Sequence, residues 1–153
     1  MKKLSLDKKG IQEYQQNRDP YLLIDCATEI IPGKSAKGYK DLKDDEWFFK
    51  VHWKNDPNVP GMLQVEALVQ MASISILTLK GNKGKIMYLV NANKIRFYKK
   101  IIPDSKFTIE TSVLSYSRGI AKFSAIGKLG KDLACAAEFT LVLPDEFKKY
   151  KVK

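Results

Sequence analysis

The sequence predicts an α+β fold: an antiparallel sheet wrapped around one long central helix. Three observations predict it. From Met62 to Lys80 run nineteen residues without Gly or Pro, apolar on almost every side. Near the other end, Leu133, Cys135, Ala137, Phe139, Leu141 and Leu143 form the cleanest period-2 run of the chain. Between and around them the order is helix, strands, one buried helix, then strands only.

The first element is a short helix expected from Leu6 to Gln16, with Ile11 and Tyr14 three apart and Asp7 near its start. Asn17-Arg18-Asp19-Pro20 ends it. Tyr21 to Ile31 is rich in β-favouring residues and closes at Pro32-Gly33, so a strand is expected there. Lys34 to Lys43 pairs back as a second strand, and Glu46 to Trp53 reads as a short aromatic strand. The helix from Met62 is expected in a core, because a helix apolar all round has no face for water. Its few polar residues, Glu66, Gln70 and Ser73, fall at i, i+4 and i+7 on one face.

Beyond Gly81-Asn82-Lys83-Gly84, Lys85 to Tyr98 reads as a long strand, with Ile95 and Phe97 inward and the basic residues outward. Phe107, Ile109 and Val113 alternate, as do Phe123 and Ala125. The turn from Gly127 to Asp132 joins the last two strands as a hairpin. One domain over 1–153 is expected, with 1–19 a helix and lead-in and 148–153 a frayed basic tail.

Composition narrows the function classes. Lys+Arg number 27 against 17 Asp+Glu, a formal charge of +10, which favours an acidic partner. The amino terminus lacks the apolar run of a signal peptide, and no apolar stretch reaches the ~20 residues of a membrane span, so a cytoplasmic chain without stable membrane insertion is expected. Cys26 and Cys135 lie far apart in strand-like contexts and read as buried free thiols. One histidine, with no paired cysteines, cannot fill a zinc site, and no Gly-rich phosphate loop is present.

The chemistry concentrates between Trp47 and Gln70. His52 is the only histidine; Pro60-Gly61 follows, then Glu66 inside the apolar helix. An imidazole can act as a base near pH 7. A carboxyl on an apolar helix has its pKa raised by desolvation and can donate a proton. Gln70, one turn on, is placed to orient it. The first amides of a helix lack intrahelical partners and suit a polarised carbonyl, which assigns an oxyanion role to Gly61 N–H with Met62 N–H as helper.

Taken in order, Tyr21-Leu-Leu-Ile-Asp25, Ile31-Pro-Gly-Lys34, His52…Pro57…Pro60-Gly61…Glu66-Ala-Leu-Val-Gln70, Lys94-Ile-Arg-Phe97 and Ile102-Pro-Asp104 resemble the β-hydroxyacyl-acyl-carrier-protein dehydratases, over Tyr21 to Leu143. The resemblance implies the hot-dog fold. It implies dehydration of (3R)-hydroxyacyl-acyl-carrier-protein to the trans-2-enoyl product, with His52 and Glu66 catalytic and no cofactor beyond the carrier's phosphopantetheine arm. It also implies a homodimer, alone or as a trimer of dimers, whose active site takes His52 from one protomer and Glu66 from the other. Tyr88 and Leu89 are tunnel-wall candidates. Lys94, Arg96, Lys99 and Lys100 would form the docking face for acyl carrier protein. The chain departs from the usual Gly-His-Phe-Pro with Val51-His52-Trp53-Lys54, closer to the dehydratase/isomerase loop, yet keeps the glutamate of the dehydratases.

Three rivals stand beside this reading. A hot-dog thioesterase uses an acid to activate water and lacks the His…Pro-Gly…Glu spacing. An acyl-binding subunit of weakened activity is suggested by Val51 and Lys54. A nucleic-acid binder would use the basic residues interleaved with Phe97 and Tyr98, for which strand alternation is the plainer account.

Overall fold

An all-round apolar helix is stable only where every side meets protein. In the computed structural model, which describes residues 2–150, α3 (Gly61–Leu77) does so: thirteen of its seventeen residues are buried, Leu68, Met71 and Ile74 completely. The sheet that wraps it has seven strands in the order β1-β2-β3-β5-β6-β7-β4, every neighbour antiparallel. These are β1 (Leu4–Leu6), β2 (Cys26–Ile31), β3 (Ser35–Leu42), β4 (Tyr88–Phe97), β5 (Ser105–Ser117), β6 (Ile120–Leu129) and β7 (Asp132–Val142). The helix packs on β2, β3, β5, β6 and β7. Period-2 alternation turns Phe107, Ile109, Phe123, Ala125, Cys135, Ala137, Phe139 and Leu141 into the core. Phe123 lies directly opposite Phe139, the rings stacked at 5.5 Å. This is the hot-dog arrangement that the resemblance implies.

Several elements differ from expectation. The first helix is shorter, α1 (Lys8–Tyr14), capped by Asp7, whose carboxylate accepts from Gly10 N–H at 2.8 Å. Leu6 belongs to β1 instead, a three-residue edge strand on β2 that a short, lysine-flanked segment does not announce. Tyr21 to Asp25 is not a strand. Its backbone is held by a side chain of α3, since Gln70 bonds both Tyr21 and Leu23, so no ladder forms there. The aromatic segment expected as a strand is a helix, α2 (Trp47–Val51): adjacent Phe48 and Phe49 are both buried, which alternation cannot provide. The Lys40 ammonium sits between Asp25 and Glu46, 3.4 Å from each, and ties the lead-in loop to the start of α2.

β4 begins at Tyr88 rather than Lys85, and its faces are not the expected ones. A bulge between Asn93 and Arg96, with Lys94 at φ 49°, interrupts the alternation. Ile95 still packs on the core, but Phe97 is 49% exposed. The last hairpin is tighter than expected: Leu129 pairs with Asp132 around Gly130-Lys131, with Gly130 at φ 59°, while Gly127 lies inside β6. Leu133, at the start of β7, remains partly exposed. After β7 come α4 (Pro144–Phe147) and a 3-10 turn at Lys148–Tyr150, so part of the expected frayed tail is ordered, and residues 151–153 lie outside the described ones. Both cysteines are free, and burial pushes the Cys135 thiol up to about 11. No helix among the described residues is long and apolar enough to cross a membrane.

Candidate active site

Two groups of the motif region emerge from different elements. His52 caps the carboxyl end of α2, its N–H bonded to the Phe48 carbonyl, and the two buried phenylalanines anchor it there. Its ring is half-buried and stacks on Trp53 with centroids 4.5 Å apart and planes at 20°. Nδ1 lies 3.1 Å from the Asn58 carbonyl oxygen. A carbonyl oxygen only accepts, so Nδ1 carries the proton of the neutral ring and Nε2 presents its lone pair. Asn58 is buried and fixed by its own amide, which donates to the Asp56 carbonyl at 2.7 Å.

Glu66 stands on α3, one turn from Gln70. Gln70 Nε2 donates to Glu66 Oε1 at 3.0 Å and to the Tyr21 carbonyl at 2.9 Å, and Gln70 Oε1 accepts from Leu23 N–H at 2.8 Å. The amide is therefore clamped at both ends and holds the carboxyl in one place. Desolvation raises the Glu66 pKa above the ordinary range, with the Gln70 hydrogen bond opposing it. The Tyr21 phenol is also pushed up, first by burial and then by the Glu66 charge. Ser73 completes the stripe by donating to the Gln70 carbonyl at 2.8 Å.

The stripe faces a half-open pocket. Glu66, Gln70 and Ser73 line a cavity of 310 Å³, closed on the other side by Gln15, Asn17 and Leu89. Of the two tunnel-wall candidates, Leu89 lines this cavity, and Tyr88 lines the neighbouring groove with Lys83 and Lys85. His52 is not among the residues lining the Glu66 cavity.

Gly61 opens α3. Pro60, which precedes it, offers a carbonyl to Leu63 N–H and Gln64 N–H, both at 3.0 Å, leaving the Gly61 and Met62 amides without an acceptor inside the helix. The Phe97 ring lies over Gly61, so near that a Cβ there would come within 2.8 Å of it. A side chain at this position would require the ring on β4 to shift.

The basic residues lie on and just after the outermost strand. Lys94 pairs with Glu138 at 3.3 Å, Lys99 with Asp132 at 2.6 Å and Lys100 with Asp56 at 2.7 Å. Arg96 donates only to the neighbouring Ile95 carbonyl, at 3.1 Å. Among the described residues no group of three or more His, Cys, Asp or Glu is gathered to hold a metal ion. Residues that spacing did not reveal are Gln15, Gln16, Asn17 and Lys85, which reach the Glu66 cavity only through packing.

A family model described as a FabA-like domain matches residues 16–138. The chain is 34% identical over 141 residues to the 3-hydroxyacyl-[acyl-carrier-protein] dehydratase FabZ of Thermoanaerobacter sp. (strain X514), covering 92% of this chain and 99% of that protein. It is 36% identical over 140 residues to the FabZ of Clostridium novyi (strain NT), covering 90% and 99%. Among solved structures, the dehydratase heterocomplex ApeI:P from Xenorhabdus doucetiae superposes with TM-score 0.74 at 12% identity, over 91% of this chain and 95% of that one. A hypothetical thioesterase with coenzyme A from Streptococcus pneumoniae TIGR4 gives 0.56 at 13% identity, over 74% and 80%. The two structural likenesses show a shared fold.

Proposed function

The chain belongs to the FabA-like family and is a 3-hydroxyacyl-acyl-carrier-protein dehydratase, a hydro-lyase of fatty-acid biosynthesis, and from this premise we propose that His52 and Glu66 carry the reaction. His52 Nε2 takes a proton from C2 of the thioester. The C2–H electron pair forms the C2–C3 double bond as the C3–O bond breaks. The protonated Glu66 carboxyl gives its proton to the departing hydroxyl, which leaves as water. Charge that builds on the thioester oxygen is met by the Gly61 amide, a contact typically worth ~3 kcal/mol in the transition state. Gln70 positions the Glu66 carboxyl. Exchange of one proton between the two groups through water restores the enzyme. No metal or bound cofactor enters these steps; the acyl group arrives on the phosphopantetheine arm of its carrier.

The observation that carries this reading is the Glu66 carboxyl, its pKa raised by desolvation, clamped by Gln70 and facing a cavity. Because His52 lies outside that cavity, we assign the site to two protomers joined side by side along β4, one giving His52 and the other Glu66. The outer edge of β4 supports this, with Tyr88, Leu89 and Val90 exposed in succession. Arg96 and the neighbouring lysines take the acidic carrier protein. We place the enzyme in the cytoplasm.

The test is purified protein with 3-hydroxyacyl-acyl-carrier-proteins of several chain lengths, read by mass spectrometry. A product lighter by one water is expected. Release of free acid would instead make the chain a thioesterase, and no turnover would make it a binding subunit.

A further inference from the structure

The wall of the Glu66 cavity mixes polar and apolar groups along α3. Beyond Glu66 it runs past Val69 and Ser73 to Leu77, about 16 Å along the axis at 1.5 Å per residue. Facing this length are Gln15, Gln16, Asn17 and Lys85, beside the apolar Ile86, Met87, Leu89 and Leu141. At Gln16, Lys85 and Ile86 the cavity meets a second groove of 570 Å³, whose lining adds Lys83, Lys148 and the acidic Asp145. Gln16 Nε2 donates to the Gly84 carbonyl at 2.9 Å, and Gly84 N–H to the Tyr14 carbonyl at 3.0 Å, so the junction is tied together. A plain saturated chain laid along this wall would meet hydrocarbon over part of its length but leave the Lys85 ammonium without an acceptor.

Lys85 is half-buried. Several other lysines have acidic partners: Lys83 has Glu13, Lys149 has Glu146, and Lys40 has Asp25 and Glu46. Among the described residues Lys85 has no carboxylate within ion-pair distance. Its charge is felt at Glu146, but that carboxylate is bonded to Lys149 at 2.7 Å. A half-buried cation that lines a ligand cavity and has no ion pair within its own chain is completed by an anion from outside the chain.

We propose that Lys85 is an anion-binding residue at the far end of the Glu66 cavity, and that the substrate carries a carboxylate or phosphate at the end remote from its reacting carbons. The inference rests on the Glu66 cavity being the substrate cavity. The anion has two sources. It is a carboxylate at the tip of the acyl chain if that chain runs towards Lys85, or the phosphate of the pantetheine arm if the arm enters from that side.

Three unreactive thioethers separate these sources: decyl-pantetheine, its ω-carboxylated counterpart and decyl-phosphopantetheine, each titrated calorimetrically into the wild type, Lys85→Gln and Lys85→Arg. At least one anionic ligand is expected to bind about tenfold more tightly than the neutral one. Lys85→Gln should remove that advantage and Lys85→Arg keep it. A carboxylate-only advantage assigns the acyl tip, a phosphate-only advantage the arm, and an advantage for both assigns an end that takes either. Equal affinities of the three ligands for the wild type, or an advantage that survives in Lys85→Gln, would overturn the proposal. Loss of water from 3-hydroxybutyryl-pantetheine is read on the same preparation. If anion-dependent binding stands while that reaction fails, the dehydratase mechanism falls and the anion site remains.

Discussion

Gln70 holds Glu66 by a single 3.0 Å hydrogen bond while its own amide is pinned to the backbone at Tyr21 and Leu23. The carboxyl proposed to donate the proton is thus positioned by a segment some forty-five residues earlier in the chain, before the strand that follows it has begun. Loop 21–25 belongs to the proposed site although none of its side chains needs to react.

Burial of Glu66 makes stability depend on pH in a defined sense. Its folded pKa lies above its unfolded value, so the native state holds the proton more tightly. That contribution is fully present below the unfolded pKa and is lost as pH rises through the folded pKa. Glu66→Gln, which keeps an oxygen for Gln70, should therefore melt higher than the wild type at pH 8, with the gap closing towards pH 4, while dehydration falls by ~10²–10⁴-fold. Thermal unfolding across that pH range checks it; a wild type that gains on the variant as pH rises contradicts the assignment.

Phe97 over Gly61 gives a double-mutant test. Gly61→Ala should lower both stability and kcat, because a methyl group within 2.8 Å of the ring forces either the ring or the first turn of α3 to move. Phe97→Leu should relieve the clash, so that the double variant is more stable than the sum of the single effects by about 1 kcal/mol. Additive losses in denaturant unfolding would mean that the ring does not set the glycine.

Shared assembly of the site is tested by complementation. His52→Ala and Glu66→Gln should each be folded and inactive alone. Isolated as a mixed dimer, they should recover about half of the activity, because one of the two sites then has both wild-type groups. A folded mixed dimer without activity would place both groups in one protomer.

On the basic face the structure ranks the residues. Lys94, Lys99 and Lys100 already have carboxylate partners, whereas Arg96 has only a backbone carbonyl. Arg96→Glu should raise KM for acyl-carrier-protein several-fold at low salt, more than reversal of any of the three lysines, and leave pantetheine thioesters nearly unchanged. Steady-state kinetics with both substrate forms decides, and equal effects on the two would remove the docking role.

What could be read from the chain beforehand follows the range of the interactions involved. α3 was legible because an uninterrupted apolar run needs no partner to identify it, and β7 because strict alternation from Cys135 to Leu141 does not either. α2 was not, since Trp47, Phe48 and Phe49 favour strands and only the joint burial of the adjacent Phe48 and Phe49 makes the segment helical. The inward face of β4 was lost to one bulge at Lys94, which no local residue preference announces. In the site, the spacing of His52, Gly61 and Glu66 was legible, being fixed within twenty residues of chain. Gln15, Asn17 and Lys85 were not, because they meet Glu66 only after distant segments pack.

The bare outer edge of β4 has a consequence for how this enzyme would behave when scarce. If two copies must meet before His52 and Glu66 face one carbonyl, turnover per molecule depends on how crowded the molecules are. Dilution would then silence the protein while every copy stayed folded, and activity would scale with the square of concentration in that limit. Synthesis rate alone could act as a threshold, with the reaction starting only once enough chains have accumulated to find each other.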